Sequence, residues 1–492
     1  MKTLLTIIAL VPAFCAFSQD IVFDHPMELS RSLKEQRGCY PVVDAKTGNI
    51  HLILYNHKSI NVLTVGGDFS FKGERMDDRP ADTREILGHA LTGNQLCIFF
   101  NTSASSKITR LKLNLETSEK EIDRLEIGGD KEKYITSFSV DDNFVVMQAL
   151  RNSNELILYT YSAKQELSRV THDFSGQKFS LEEGDALETI LRQWRPEFIE
   201  SKIPNPLEIT SAKTKVFQSD SSLILTLDNE KYRTAVVSLP FDGTKGAVKF
   251  FNHGFIDCGE SVLYSSNSYL HQNFLYQFKV CQNAMGVTIS SVASGDVIKK
   301  YTVQREGEID FKNTDIIQEG SETNADARRE LSKTKQFLRK CSYSNAAISV
   351  YPQRDEIVMV VGSFKEITRG GPGIPMYSPG TQISTPGGTI TTPGSYNPVY
   401  TGYGAYKFSK AVYFKSKLKN STFDHSPGLV FDDAFKKIKN YSEVHIQEKN
   451  YMSAGDISSV PLIAETLFKR NERYYLGYYD KENKRYVLRE FR

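Results

Sequence analysis

Five short runs in this chain are apolar on both faces: HLILY at 51–55, LCIFF at 96–100, FVVMQ at 144–148, LILTL at 223–227 and IVMVV at 357–361. Each is strand-length, rich in β-branched and aromatic residues, and followed by a turn of Asp, Asn, Gly, Lys or Ser. A strand in a sheet with one wet face alternates apolar and polar side chains, because successive side chains point to opposite faces. These runs do not alternate, so each needs protein on both sides of its sheet.

Each run is the middle of a longer unit, and the unit recurs: a strand, a turn, the apolar strand, a polar turn, a third strand. Copies occupy 38–68, 88–117, 136–166, 214–243 and, less regularly, 262–296. A sixth begins at 346–366 and resumes at 405–418, and the last is 464–491. From His51 to Leu96 and from Leu96 to Phe144 the spacing is 45 and 48 residues. Later intervals are longer and hold other material. LEEGDALETILRQWR at 181–195 has helical spacing with Leu187, Ile190, Leu191 and Trp194 on one face, and NADARRELSKTKQFLRK at 324–340 reads as a second helix.

The pattern resembles a β-propeller, in which sheets stand around an axis and each packs both faces against its neighbours. The resemblance is to the architecture and rests on spacing and pattern. The WD dipeptide, the kelch double glycine and the Asp box are all missing, so no named propeller family is matched. It implies an all-β fold of about seven blades, each of about four antiparallel strands, with short helical insertions and one long Gly/Pro-rich loop. Residues 19–492 form a single domain on this reading, with insertions at about 171–210, 305–340 and 368–404. A pair of β-sandwiches, or six or eight blades, is the competing arrangement.

The long loop is GGPGIPMYSPGTQISTPGGTITTPGSYNPVYTGYG, residues 370–404. It carries no charge although 24% of the chain is charged, and 15 of its 35 residues are Gly or Pro. It follows IVMVVGSF and precedes AYKFSKAVYF, so it stands where the sixth unit needs a hairpin turn. Ser/Thr-Pro-Gly triplets at 378, 385 and 392 oppose helix and ladder. Tyr377, Tyr396, Tyr400, Tyr403 and Tyr406 make it adhesive without charge and are the candidate binding residues. The propeller resemblance puts such a loop on the face commonly used for ligands. The competing role is an insertion that the ring tolerates, since long surface loops cost little closure entropy.

The first residues, MKTLLTIIALVPAFCAFSQD, read as an export signal over 1–18: Lys2, an apolar core from Leu4 to Val11, and small Ala16 and Ser18 before a cleavage that leaves Gln19 first. Phe14 before Cys15 does not suit a lipobox. No later run is long enough to span a membrane. Exported, the chain would reside in the periplasm, at the outer membrane or outside the cell. Five cysteines then remain, and Cys258 with Cys281, which share one local unit, are the candidate disulfide.

A net charge of +2 gives no general attraction to nucleic acid, and none is expected as a partner. The nine His are scattered without ligand spacing, so neither metal nor cofactor is expected. No G-x-S-x-G elbow, H-E-x-x-H, Walker loop or EF-hand occurs, and no catalytic residue is assigned. Two functions compete. One is a non-catalytic envelope or extracellular protein that binds a protein or polysaccharide. The other is a glycan hydrolase or lyase with acids gathered at the ring axis, for which the turn pairs Asp141–Asp142 and Asp432–Asp433 supply carboxylates. Facing carboxylates in a deep axial cleft would favour the enzyme; a plugged or apolar axis would favour binding.

Overall fold

The computed structural model describes residues 20–29, 38–102, 107–117, 119–162, 167–180, 186–200, 203–219, 221–230, 232–259, 264–320, 327–370, 382–385, 388–391, 399–401, 405–430, 437–438, 441, 462–471 and 473–491, with backbone alone between 367 and 408. The signal residues, Cys15, Asp432 and Asp433 lie outside this set, as do Tyr377, Tyr396 and Tyr403.

Seven antiparallel sheets follow one another among the described residues. The first has strands Gly38–Val43, Ile50–Tyr55, Ser59–Val65 and Phe71–Asp78; the second has Thr83–Thr92, Gln95–Thr102, Lys107–Asn114 and Lys120–Glu126. The third has Glu132–Val140, Asn143–Leu150, Glu155–Tyr161 and Leu167–Asp173. The fourth has Thr214–Gln218, Ser222–Leu227, Arg233–Pro240 and Ala247–Asn252; the fifth has Tyr264–His271, Phe274–Cys281, Ala284–Ser291 and Val297–Gln304. All five are meanders in which each strand pairs the next.

The five apolar runs are the second strands of sheets one to four and of the sixth, and all five are almost wholly buried. They fill clusters shared between neighbouring sheets. Tyr40, Ile53 and Val62 of the first sheet meet Leu91, Ile98 and Phe100 of the second. Phe99 of the second stacks on Phe144 of the third, centroids 4.0 Å apart. Further clusters join the third sheet to the fourth, the fourth to the fifth, the fifth to the sixth and the seventh to the first. First strands touch across neighbouring sheets, whereas the fourth strands alternate half-buried and exposed residues. First strands thus face a common centre and fourth strands face water. This is a β-propeller.

The last two sheets borrow strands. The sixth runs Asn345–Gln353, Glu356–Gly370, Ala405–Lys419, Ile316–Glu319, Arg328–Leu331, so its two outer strands come from upstream. Residues 305–340, expected as an insertion, are therefore partly sheet. The helix expected over 324–340 is corrected as well. Arg328–Leu331 is an edge strand, and helix α3 begins only at Thr334 and ends at Ser342; the shorter helices α1 (Leu187–Gln193) and α2 (Leu207–Thr210) precede it. Pairing with Ile316–Glu319 and burial of Leu331 outweigh a helix propensity of a few tenths of a kcal/mol per residue. α1 buries Leu187, Ile190 and Leu191 as its spacing predicts, and Trp194 packs on the same cluster. In the seventh sheet Leu462–Arg470, Arg473–Asp480 and Arg485–Phe491 receive their outer strand from Asp20–Pro26. The chain's N-terminal strand thus completes its C-terminal sheet.

Candidate interaction surface

In a meander each strand reverses direction. Turns between second and third strands therefore lie at the same end of a sheet as the connection to the next sheet. Call this the crossover end. Turns between first and second strands lie at the other.

The axis is filled. Glu197–Ile199 pairs in parallel with Thr214–Gln218, on the inner side of the fourth sheet. The chain then runs across the centre. Asn205 Nδ2 donates to Tyr269 Oη (3.1 Å) on the first strand of the fifth sheet. Leu207 of α2 packs on Ala347, Phe364 and Ala411 of the sixth. Ile203 packs on Leu467, Leu476 and Tyr478 of the seventh, together with Ile438 and Tyr441. Only a central segment can meet the inner strands of four sheets, and the contacts it makes are mostly apolar.

Elsewhere in the ring, polar side chains are buried and engaged. Lys215 and Asp228, both inaccessible, lie 3.1 Å apart between the fourth and fifth sheets. Tyr40 Oη meets His89 Nδ1 at 3.1 Å, and burial pushes the His89 imidazole down to about 3, so it is neutral at physiological pH. Among the described residues no group of three His, Cys, Asp or Glu is placed to hold a metal ion.

The acidic turns lie at the end opposite the crossovers. Asp142 has its carboxyl raised, by burial first and then by the Asp44 carboxylate. Asp44 is occupied by its own turn: it accepts from the Thr47 hydroxyl (2.6 Å) and from the Lys46 amide (2.8 Å). Those bonds outweigh its burial and hold it below the ordinary carboxylate range. Asp141 accepts from Gln218 Nε2 at 2.8 Å.

The crossover end of the fourth to sixth sheets is different. Exposed aromatic rings collect there: Tyr232 in a second-to-third-strand turn, Phe255 in the crossover to the fifth sheet, and Tyr343 just after α3, which are 56%, 79% and 53% exposed. They are held by short-range structure. The Tyr232 carbonyl accepts from the His253 amide at 2.7 Å. The Tyr232 ring neighbours that of Tyr264, and Lys279 Nζ stands 5.6 and 5.1 Å from the two centroids, within cation–π reach. Gln282 Nε2 donates to Tyr343 Oη at 2.7 Å, tying the fifth sheet to the sixth. Cys258 in the crossover is joined to Cys281 at the end of the fifth sheet's second strand, Cα atoms 5.9 Å apart. Sequence reading had no means of finding these tyrosines, since each is one residue in an ordinary turn.

The disulfide closes a 23-residue separation, for which removal of the cross-link costs about 3 kcal/mol. Cys258→Ala/Cys281→Ala is expected to lower the melting temperature by a corresponding amount in thermal unfolding. Of the described cysteines, Cys39, Cys97 and Cys341 should titrate as thiols in the denatured but unreduced chain.

The neutral segment rises beside this patch. Glu356–Gly370 and Ala405–Lys419 pair in continuous register from Glu356↔Lys419 to Gly370↔Ala405. The adjoining first strand stops at Asn345↔Phe364, two residues after Tyr343. Beyond that, six more residue pairs of these two strands form a ribbon, joined at its end by Val399–Thr401, which reaches about 20 Å at ~3.3 Å per residue. The placement read from the sequence therefore holds: the segment connects the second and third strands of the sixth sheet. Tyr400 and Tyr406 are backbone partners near its end. A hairpin of Gln382–Thr385 and Gly388–Thr391 returns to pair Ser384 in parallel with Thr466, on the inner strand of the seventh sheet.

No protein family and no curated protein matches the chain. Solved structures resemble it at low identity. A prolyl endopeptidase is 9% identical with a TM-score of 0.33, over 91% of this chain and 55% of its own, so the chain spans little more than half of that protein. A neuraminidase-like protein of A/little yellow-shouldered bat/Guatemala is 8% identical with a TM-score of 0.26, over 70% of this chain and 94% of its own. The β-propeller domain of Vanderwaltozyma polyspora Nup133 is 8% identical with a TM-score of 0.22, over 69% and 94%.

Proposed function

We propose that this chain is an exported β-propeller in which each of the seven sheets is one blade, and that it binds a protein or glycan partner in the cell envelope or outside the cell. One observation carries the reading. The crossover end carries solvent-facing Tyr232, Phe255 and Tyr343, the last beside the base of the ribbon that leads to the neutral segment, while the centre, where a propeller enzyme would gather its acids, is crossed by Ile203, Asn205 and Leu207. Large rings exposed together cost solvation unless a partner covers them, and aromatic residues are enriched in binding surfaces. Segment 370–404 is the recognition element in this reading. Export is supported by the leader-like residues 1–18, with Lys2, the apolar core Leu4 to Val11, and small Ala16 and Ser18. The alternative, a glycan hydrolase or lyase with axial acids, has its best-placed carboxylates in Asp44 and Asp142, and the bonds within its own turn occupy the first of these.

The test is affinity capture from the native envelope fraction. It compares the intact mature protein with one whose residues 370–404 are replaced by a short Gly-Ser turn, after both show the same thermal melt. A partner held by the intact protein and lost from both the loop replacement and Phe255→Ala/Tyr343→Ala supports the reading. Identical capture by all three overturns it.

A further inference from the structure

Near the crossover end of the sixth sheet, the face under α3 gathers cations, and the opposite face takes the acids together with Arg328. Residues 328–340, RRELSKTKQFLRK, hold six cations and one carboxylate, in a chain whose net charge is only +2. Their placement follows from strand alternation. Val412 lies in the core under α3, with Phe337, Leu338 and Cys341. Lys410, two residues earlier on the same strand, shares that face, and so does Lys365, its direct cross-strand partner. Gln318 and Arg329 face the same way: Ile316 and Leu331 beside them enter the same core, and Arg329 donates to Gln318 Oε1 from Nη2 (2.9 Å) and Nε (3.2 Å).

The acids of these strands go to the other face. Glu319 accepts from Tyr413 Oη at 2.9 Å there, and Glu330 and Glu366 alternate to the same side. Lys340, in the last turn of α3, is only partly exposed. Burial, then Arg329, Lys410 and Arg339, push its ammonium down to about 8. No carboxylate among the described residues pairs with Lys340, Arg339 or Lys365. A helix C-terminus welcomes one cation, but Arg339, Lys340 and Lys365 repel one another unless an anion joins them.

We propose that Arg329, Arg339, Lys340, Lys365 and Lys410 form a docking surface for an anionic polysaccharide, with Tyr343 as the ring on which a sugar face stacks. Tyr343 lies one helical turn beyond Lys340, on the side from which the ribbon rises. The shared chemistry is a row of carboxylate, sulfate or phosphate groups on sugar rings. The polysaccharide is favoured over nucleic acid because it rests on the export reading above, which places the surface among envelope glycans.

The experiment measures binding of the full mature protein to polygalacturonate, dextran sulfate, unmodified dextran and a single-stranded oligodeoxynucleotide. Binding to at least one acidic glycan, weakening as salt rises, with none to dextran, is expected. Lys340→Gln/Lys365→Gln should weaken it at least about tenfold. The same variant should melt no lower than the parent, because repulsion is relieved. Arg339→Gln, at an exposed position, repeats the test without touching a half-buried group. No glycan binding, equal binding of dextran, or unchanged binding by the variants overturns the proposal. Tighter, equally lysine-dependent binding of the oligonucleotide replaces it with a nucleic-acid surface. A loop-replaced protein that still binds acidic glycan keeps this inference while removing the loop's role.

Discussion

Asp228→Ala is expected to lower the free energy of unfolding by about 3–5 kcal/mol, the cost of stranding a buried charge. Lys215 is wholly inaccessible and donates to Asp228 Oδ2 (3.1 Å), Asn267 Oδ1 (3.0 Å) and the Ala212 carbonyl (2.6 Å). Asp228 in turn accepts from Thr234 Oγ1 (2.7 Å) and from the amide and hydroxyl of Ser268 (2.9 Å each). Removing the carboxylate leaves the ammonium with two neutral acceptors and no countercharge. Lys215→Met/Asp228→Leu, which removes both charges, should cost less than either single change, since a buried pair is often replaceable by apolar residues. Urea unfolding of the three variants measures the difference. A double variant as damaged as the sum of the singles would show two independent contributions instead. Acid adds a second signature. Burial raises the Asp228 carboxyl, but Lys215, Lys213, His253 and the Thr234 hydroxyl together hold it below its ordinary value of 3.8. Its contribution is therefore present above that value and is lost as pH falls through the lower folded one. Asp228→Asn should flatten the stability curve in that acid window.

Neither partner of this pair could be singled out from the sequence. Asp228 follows LILTL and reads as a turn former, and Lys215 stands in a short strand among other polar residues. What joins them is the pairing of the fourth sheet's first two strands, with the Asp228 amide on the Lys213 carbonyl, and Asn267 and Ser268 of the fifth sheet complete the cage; no local period encodes that convergence. By contrast, the burial of the second strands was legible, because a sheet covered on both faces must abandon alternation. The position of the neutral segment was legible for a related reason: its flanks, IVMVVGSF and AYKFSKAVYF, carry enough strand signal to find each other across 34 intervening residues, 371–404. The helix expected over 324–340 was misread at its start, because a four-residue edge strand leaves almost no periodic trace and its partner, Ile316–Glu319, lies outside any repeat. The axial plug was invisible for the same reason: Ile203 and Leu207 stand in an irregular stretch, and only the ring around them shows what they fill.

Deleting residues 20–26 is expected to have the largest effect of any change to the mature chain. This strand pairs Arg485–Phe491 from Asp20↔Glu490 to Pro26↔Arg485, and among the described residues it is the outer strand of the seventh sheet. Phe23 is buried with Leu488, Tyr475 and Phe468, and the Tyr479 hydroxyl donates to the Met27 carbonyl at 2.9 Å. Truncating a buried Phe costs about 3–5 kcal/mol, and loss of the whole strand also strips its ladder hydrogen bonds, so the sum approaches the entire stability of an ordinary domain, about 5–15 kcal/mol. The deleted protein should fail to give a cooperative melt. Phe23→Ala should fold and lose about 3–5 kcal/mol, whereas Ile21→Ala, at a half-exposed position, should stay within about 0.5 kcal/mol of the parent. A cooperative deletion variant with a near-parental melting temperature would mean that the ring closes without its N-terminal strand. The same geometry limits where processing can occur. On the export reading proposed above, cleavage after Ser18 spares Asp20–Pro26, while cleavage beyond Phe23 would remove its buried ring, so mass measurement of the processed chain is expected to find Gln19 at its start.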